Sequence, residues 1–402
     1  MKTTQINKTF LIILLGILAA LGPFSIDMYL PSFSKIASDL GTDEQHVAFT
    51  LTSYFVGIAI GQLLYGPIVD KYGRKKPLLF GLFIYIIAAL GCAFSQTIDT
   101  MIAMRFLQAL GGCVGMVAST AIISDVYEKD RMAKAFSLIM LVMGVAPLIA
   151  PSIGSILLEK ADWSYIFIFL AIFATLVSAL IYFFLPETSR FNNPDKLRIK
   201  KVSQNYLAVL KNRTFLLYTI TGSLSMAILF AYITSASFVF QTFYGLDKAT
   251  FSIIFAINAG GLILGSSLNG LITKKIYFLK IAAIATKVLL AVTAVALGTL
   301  LFVPGIDYRF LVAAIFSILF LTGFINPNVM AASLSPFKQN AGVASALGGA
   351  LRMGAGALVA AAIGAFQGST PNTLFITIFV LALLAVIMFM FAPPVKFSEE
   401  KK

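Results

Sequence analysis

Apolar runs long enough to cross a lipid bilayer follow one another through almost the whole chain, and no other feature limits the fold so strongly. A hydrocarbon core about 30 Å thick takes about 20 apolar residues of helix. Such runs are predicted at 9–30, 46–69, 78–95, 100–124, 134–158, 164–185, 214–240, 249–272, 281–303, 309–334, 340–366 and 372–392. They are too long for barrel strands and lack strict alternation, so helices are the spanning form. A water-soluble core is excluded on the same ground. Of the 402 residues, 59% are hydrophobic and 12% charged, against about 25% charged in soluble domains. The expected fold class is an all-α membrane protein with twelve transmembrane helices.

The net charge of +13 raises the question of nucleic acid, and its distribution answers it. With the N-terminus placed in the cytoplasm, 23 of the 30 Lys and Arg fall in cytoplasmic segments. Four (Lys35, Lys160, Lys248 and Arg309) fall outside, and three (Arg105, Lys287 and Arg352) fall within spans. This bias sets both termini in the cytoplasm. It suits contact with anionic headgroups and accounts for the basicity without nucleic acid. Lys2 and Lys8 before a short apolar run imitate a signal peptide. No convincing small-residue cleavage site follows, so the run is taken as the first span. Cys92 and Cys113 lie in apolar runs and are expected to be small packing residues.

The longest hydrophilic stretch, 186–213, separates spans six and seven. The chain therefore divides into a six-helix bundle (1–185), a basic cytoplasmic linker (186–213) and a second six-helix bundle (214–402). Paired bundles with a site between them at mid-membrane are a common transporter plan, whereas a channel needs no such duplication.

The first cytoplasmic loop reads GPIVDKYGRKK, Gly66 to Lys76. Gly66 lets a neighbouring helix come close. Asp70 ends a helix and can face the N-terminus of another. Gly73 permits a tight turn, and Arg74 can pair with Asp70 or a nearby carbonyl. In this spacing the loop resembles the loop-two motif of the major facilitator superfamily. GLITKKIYFLK, Gly270 to Lys280, resembles the degenerate second copy that the family shows. More narrowly, SIDMYLPSF, RFLQALGGCVG, GVAPLIAPSIG, AYITSASFVFQTFYGL and NPNVMAASLSPFKQNAGVASALGGAL resemble the bicyclomycin-resistance (Bcr/CflA) branch of the drug–proton antiporters. These pieces lie in both halves, so the likeness covers nearly the whole chain. It implies the major facilitator fold, with two pseudo-symmetric bundles.

In GVAPLIAPSIG, Pro147 and Pro151 remove backbone hydrogen bonds and bend their helix, while Gly144 and Gly154 allow close helix contact. The likeness implies an antiporter motif that shapes this bend against span eight. Ser155 stands where the family pattern has a second glycine.

Asp27 lies about one turn before Pro31, where the first span leaves the membrane. Arg105 lies about one and a half turns after Thr100, where the fourth span enters from the same side. Uncompensated charges at that depth are costly, so both are expected to face the interior. Desolvation favours a neutral carboxyl and a nearby cation favours a charged one. A carboxylate held between the two can exchange a proton, which is the role expected of Asp27. A fixed Asp27–Arg105 salt bridge is the structural alternative. Arg105 has Gln108 as its neighbour at i+3, and the family likeness assigns this arginine to the proton relay.

Arg352 lies near the middle of span eleven, where the branch usually has a glutamine. It is expected to contact an anionic or zwitterionic substrate, to offset Asp27, or to be a buried structural arginine. Lys287 is expected to snorkel to the inner surface. Tyr29, Tyr54, Gln108, Tyr232, Phe238, Gln241, Asn258 and Asn326 are expected to supply the remaining cavity, with apolar faces and few polar atoms suited to amphipathic compounds. The sequence contains no nucleotide-binding loop, metal-ligand cluster or catalytic triad. No enzyme is expected, and no cofactor beyond protons as coupling ion. Expected partners are a small drug or metabolite, protons and lipid, with the chain a monomer in the bacterial inner membrane. The function expected is proton-coupled multidrug efflux. The alternatives are a dedicated exporter of one metabolite, such as a siderophore or polyamine, and a passive channel or transport-like sensor.

Overall fold

The computed structural model describes residues 8–126, 129–188, 199–273, 275–337, 341–365 and 370–394. The N-terminal half runs through α1 (Lys8–Asp27), a 3-10 turn (Leu30–Ser32), α2 (Phe33–Asp39), α3 (Glu44–Tyr72), α4 (Lys75–Ala93), α5 (Ile98–Gly112), α6 (Val114–Val126), α7 (Lys129–Lys160) and α8 (Ser164–Phe184). Then come α9 (Ile199–Leu210) and α10 (Arg213–Ser237), which continues into a π-helical turn (Phe238–Phe243). The C-terminal half goes on through α11 (Lys248–Ile272), α12 (Phe278–Phe302), α13 (Tyr308–Leu334), α14 (Ala341–Ala365) and α15 (Pro371–Met390). Among the described residues, eleven helical stretches are long and apolar enough to cross a membrane. The remaining predicted run, 134–158, lies within the 32-residue α7.

The helices begin where a short polar side chain can take an orphan N–H. Asp43 accepts from the His46 N–H, Asn212 from Phe215, Asp247 from Ala249 and Thr250, and Asp307 from Arg309. Gly73, at φ +86°, ends α3 in a conformation that favours glycine.

Three predicted segments differ in detail from the observed ones. The first span was expected to run to residue 30, yet α1 stops at Asp27. The cause is Pro31, which has no N–H for the Asp27 carbonyl and whose ring would clash with it. The fourth span is one helical stretch, Ile98–Ile123, with a single-residue interruption at Cys113, after Gly111 and Gly112, residues that weaken a helix. The linker, expected to be a plain hydrophilic connection, contains the amphipathic α9, with Val209 buried and Gln204, Asn205 and Ala208 exposed.

Helix packing repeats across the two halves. In the first half α3 packs on α5, α4 on α5 and α8, and α1 on α7 and α8. In the second half α11 packs on α13, α12 on α13 and α15, and α10 on α14 and α15. Each pairing recurs six spans later, which is the pseudo-symmetry of a duplicated bundle. The halves meet through α3 against α14 and α7 against α11, and the Phe55 and Phe230 rings touch across the seam at 4.3 Å between centroids. Phe80, Phe83, Phe183, Phe302, Leu358 and Met390 are each more than half exposed. On a water-soluble surface such patches would be a liability; here they are the face offered to lipid.

Candidate functional site

Two buried charges of opposite sign mark the interior of the N-terminal half. Asp27 is 3% exposed and Arg105 is fully buried. They do not pair: among the described residues neither takes part in an ion pair, so the salt-bridge alternative is not the arrangement found. Arg105 instead donates from Nη1 to Gln108 Oε1 at 2.7 Å. Its guanidinium carbon lies 4.2 Å from the Tyr54 ring centre, 4.5 Å from Tyr29 and 5.7 Å from Phe167. Electron-rich ring faces on several sides are what a desolvated guanidinium gains from. The helix break at Asp27 explains the separation. Tyr29, two residues on, turns to Arg105, and residues two apart do not share a helix face.

Hydroxyl contacts hold this cage. Tyr29 pairs with the Thr50 hydroxyl at 2.8 Å, and Ser25 with the Tyr85 hydroxyl at 2.6 Å. Thr50, Tyr85, Ser25 and Phe167 belong to the cluster and were not singled out from the sequence. In an apolar span a Tyr or Phe looks alike whether it faces lipid or a charge.

Asp27 points elsewhere. Its Oδ1 is buried and makes no hydrogen bond among the described residues. The carboxyl lies close enough to Tyr232 on α10, in the other half, for the two to interact electrostatically. Next to it Gly154 of α7 sits so close to the Met28 carbonyl that a Cβ at that position would overlap the oxygen. Asp27 thus ends α1 beside its contact with α7, with Tyr232 of α10 within electrostatic reach. At the proline-rich segment Ser155 and Ser252 share a hydroxyl contact at 2.7 Å, and Ser252 also reaches the Pro151 carbonyl. Span five therefore rests on span eight, and the serine in place of glycine gains a partner. Pro147 and Pro151 lie inside α7. The surroundings of Gly144 fall outside the described residues.

The other expected cavity residues are dispersed. In the C-terminal half, Asn258 Nδ2 donates to the Tyr232 hydroxyl at 3.0 Å, and the Tyr232 and Phe255 rings stack at 5.5 Å. Phe238 lines a small recess between the halves with Glu44, Thr234 and Gly364. Gln241 is used locally, donating to Ser237. Arg352 meets Met330 Sδ at 3.6 Å, and Asn326 lies one turn from Met330 on α13. Tyr29, Tyr54 and Gln108 are gathered at Arg105 rather than around a shared opening.

At the end rich in Lys and Arg, Arg74 does more than sequence spacing suggests. It donates to Asp70 Oδ1 at 2.9 Å, to Asp125 Oδ2 at 2.9 Å and to the Val69 carbonyl at 2.7 Å. Burial works against its charge, but the Asp125 and Asp70 carboxylates outweigh that and hold its pKa above the ordinary arginine value. The carboxylate at a helix N-terminus is Glu187, not Asp70: it accepts the backbone N–H groups of Arg74 and Lys75 at the start of α4. Gly66 faces the Tyr206 hydroxyl of α9.

Comparisons with known proteins agree with this architecture. Residues 15–361 match the Major Facilitator Superfamily. The chain is 33% identical over 391 residues to a bicyclomycin resistance protein homolog of Haemophilus influenzae, covering 96% of this chain and 97% of that one. It is 30% identical over 243 residues to the multidrug resistance protein MdtL of Shigella dysenteriae, covering 60% and 61%. Among solved structures, a D-xylose-proton symporter superposes with a TM-score of 0.74 at 16% identity, covering 96% of this chain and 98% of the other; at that identity the likeness concerns the fold. The chain therefore belongs to the Major Facilitator Superfamily, a multi-pass membrane protein that transports small molecules and not an enzyme.

Proposed function

We propose that the chain expels small amphipathic compounds across the bacterial inner membrane in exchange for protons, with its basic end and both termini in the cytoplasm. Asp27 is the observation that carries this reading. It is a carboxyl group withdrawn from the surface, with no cation in ion-pair range among the described residues. It ends α1 beside the α1–α7 contact, with Tyr232 of the other half within electrostatic reach. A charge so placed is costly unless something neutralises it. A proton does so reversibly, and a site on the seam ties its occupancy to the movement of the halves. The printed names of the relatives, bicyclomycin resistance and multidrug resistance, support a drug-like cargo.

In the proposed cycle the cargo enters from the cytoplasmic side while Asp27 is ionised. The halves rock, the outer side opens, and a proton arriving at Asp27 displaces the cargo. The protonated carrier then returns. The outer contacts Glu44–Thr242, at 2.7 Å, and Ser155–Ser252 support a state closed on the outer side. By linkage, proton and cargo must each weaken the binding of the other. The test is dye accumulation in inverted membrane vesicles driven by an acid interior. The parent is expected to accumulate dye uphill, and Asp27→Asn to lose at least about tenfold of that rate while still binding dye in detergent. Undiminished pH-driven accumulation by Asp27→Asn removes the carboxyl from the mechanism. Absence of uphill movement by the parent favours a channel or sensor.

A further inference from the structure

We infer that Arg352 binds a carboxylate or similarly compact anionic group on the transported solute. The inference rests on the transport reading above and adds the chemical class of the cargo.

Three arginines set into the helix bundles are treated differently by the fold. Arg74 has two carboxylates, and Arg105 has an amide and a cage of rings. Arg352 has neither. The hydrogen bond it makes among the described residues runs from Nη1 to Met330 Sδ, at 3.6 Å, and a thioether is a weak acceptor that does not offset charge. No ion pair involves it among the described residues. The side chain is partly buried, and the residue lies eleven positions from the start of α14 at Ala341, about 16 Å along the helix axis. That depth is beyond lipid headgroups, so an anion reaching it arrives as cargo.

Two glycines stand next to the guanidinium. Nε faces Gly222 of α10, where even a Cβ would stay 3.7 Å away, and Nη2 faces Gly348 of the same helix as Arg352, at 3.9 Å. No side chain projects from either position to cover the planar fork, whose paired N–H donors match a carboxylate. Arg352 thus stands between α10, α13 and α14 with no oppositely charged partner among the described residues. This place is in the opposite half from Asp27, so a solute anion here and a proton there occupy separate positions and communicate through the movement of the halves.

The test is equilibrium binding to the purified full-length protein in detergent, with no proton gradient, using 5-carboxyfluorescein as the anionic probe. Rhodamine 6G, a cation on a similar aromatic frame, is the comparison. The parent is expected to bind 5-carboxyfluorescein. Arg352→Gln is expected to weaken that binding at least about tenfold, Arg352→Lys to weaken it less, and rhodamine 6G binding to survive in both, which also shows that the variants are folded. The inference is overturned if the parent does not bind 5-carboxyfluorescein, or if Arg352→Gln binds it as the parent does. Because the assay needs no gradient, it can succeed while Asp27-dependent transport fails, and the reverse.

Discussion

Arg105 illustrates how a charge is kept inside an apolar bundle without an opposite charge. Its guanidinium is stacked among Tyr29, Tyr54 and Phe167 and tied to Gln108, a geometry that uses the flat delocalised group and not only its charge. Lysine supplies the charge alone. Arg105→Lys is therefore expected to destabilise the protein by about 1–3 kcal/mol, seen as a lower melting temperature in detergent; an unchanged melting point would show that the rings contribute nothing. Gly154 makes the complementary case, in which a side chain is excluded. Its approach to the Met28 carbonyl leaves no room for a methyl group, so Gly154→Ala should push α7 away from the end of α1. The expected cost is about 1–3 kcal/mol, with a larger loss of transport than Ser155→Ala, which gives up the hydroxyl contacts to Ser252 and to the Lys248 carbonyl.

Among the elements, α9 has the most specific attachment. Pro67 in α3 has no N–H, so the Leu63 carbonyl four residues earlier lacks its helical donor. The Tyr206 hydroxyl of α9 donates to that oxygen at 3.2 Å. On its other side α9 packs through Val209 with Phe215, Ala344 and Leu347 of the C-terminal half. The linker thus spans both halves at the basic end. Tyr206→Phe should cost about 1 kcal/mol, and the cost should shrink in a Pro67→Ala background, where the substitution restores the backbone N–H; equal costs in both backgrounds would disprove the pairing. The start of α3 gives a pH-dependent case. The His46 backbone N–H, outweighing a small desolvation effect, holds the Asp43 carboxyl below its usual pKa. The cap is thus in place above the unfolded value of about 3.9, and its stabilisation is lost as pH falls through the lower folded value. Amide exchange at His46 should rise only in that acid window, whereas Asp43→Ala should show fast exchange already at neutral pH.

For the whole molecule, the decisive feature is a pair of like bundles in contact along α3–α14 and α7–α11. Ser155 and Ser252 are one such contact, with oxygens 2.7 Å apart. A Ser155→Cys, Ser252→Cys double variant is expected to lose transport when oxidised and regain it on reduction; full activity in the oxidised form would show that α7 and α11 need not separate. Much of this architecture could be read from the chain. Local pairs were legible because helix geometry brings i+3 and i+4 together, as with Arg105–Gln108 and Arg74–Asp70. Partners far apart in sequence were not: Asp125 lies 51 residues from Arg74, Glu187 lies 113 away, and Tyr206 lies 143 from Leu63. In a soluble protein, apolar periodicity would point each helix face inward or outward. Here lipid and core are both apolar, so the pattern that would orient Tyr29, Tyr54 or Phe167 is missing. By itself the sequence determined the helices and their length, because a bilayer demands internally satisfied backbone of fixed span. Only the tertiary structure decided that Arg105 is held by rings and an amide, and that Asp27 and Arg352 have no oppositely charged partner among the described residues. Those outcomes depend on which helix faces meet, and apolar faces do not specify their partners.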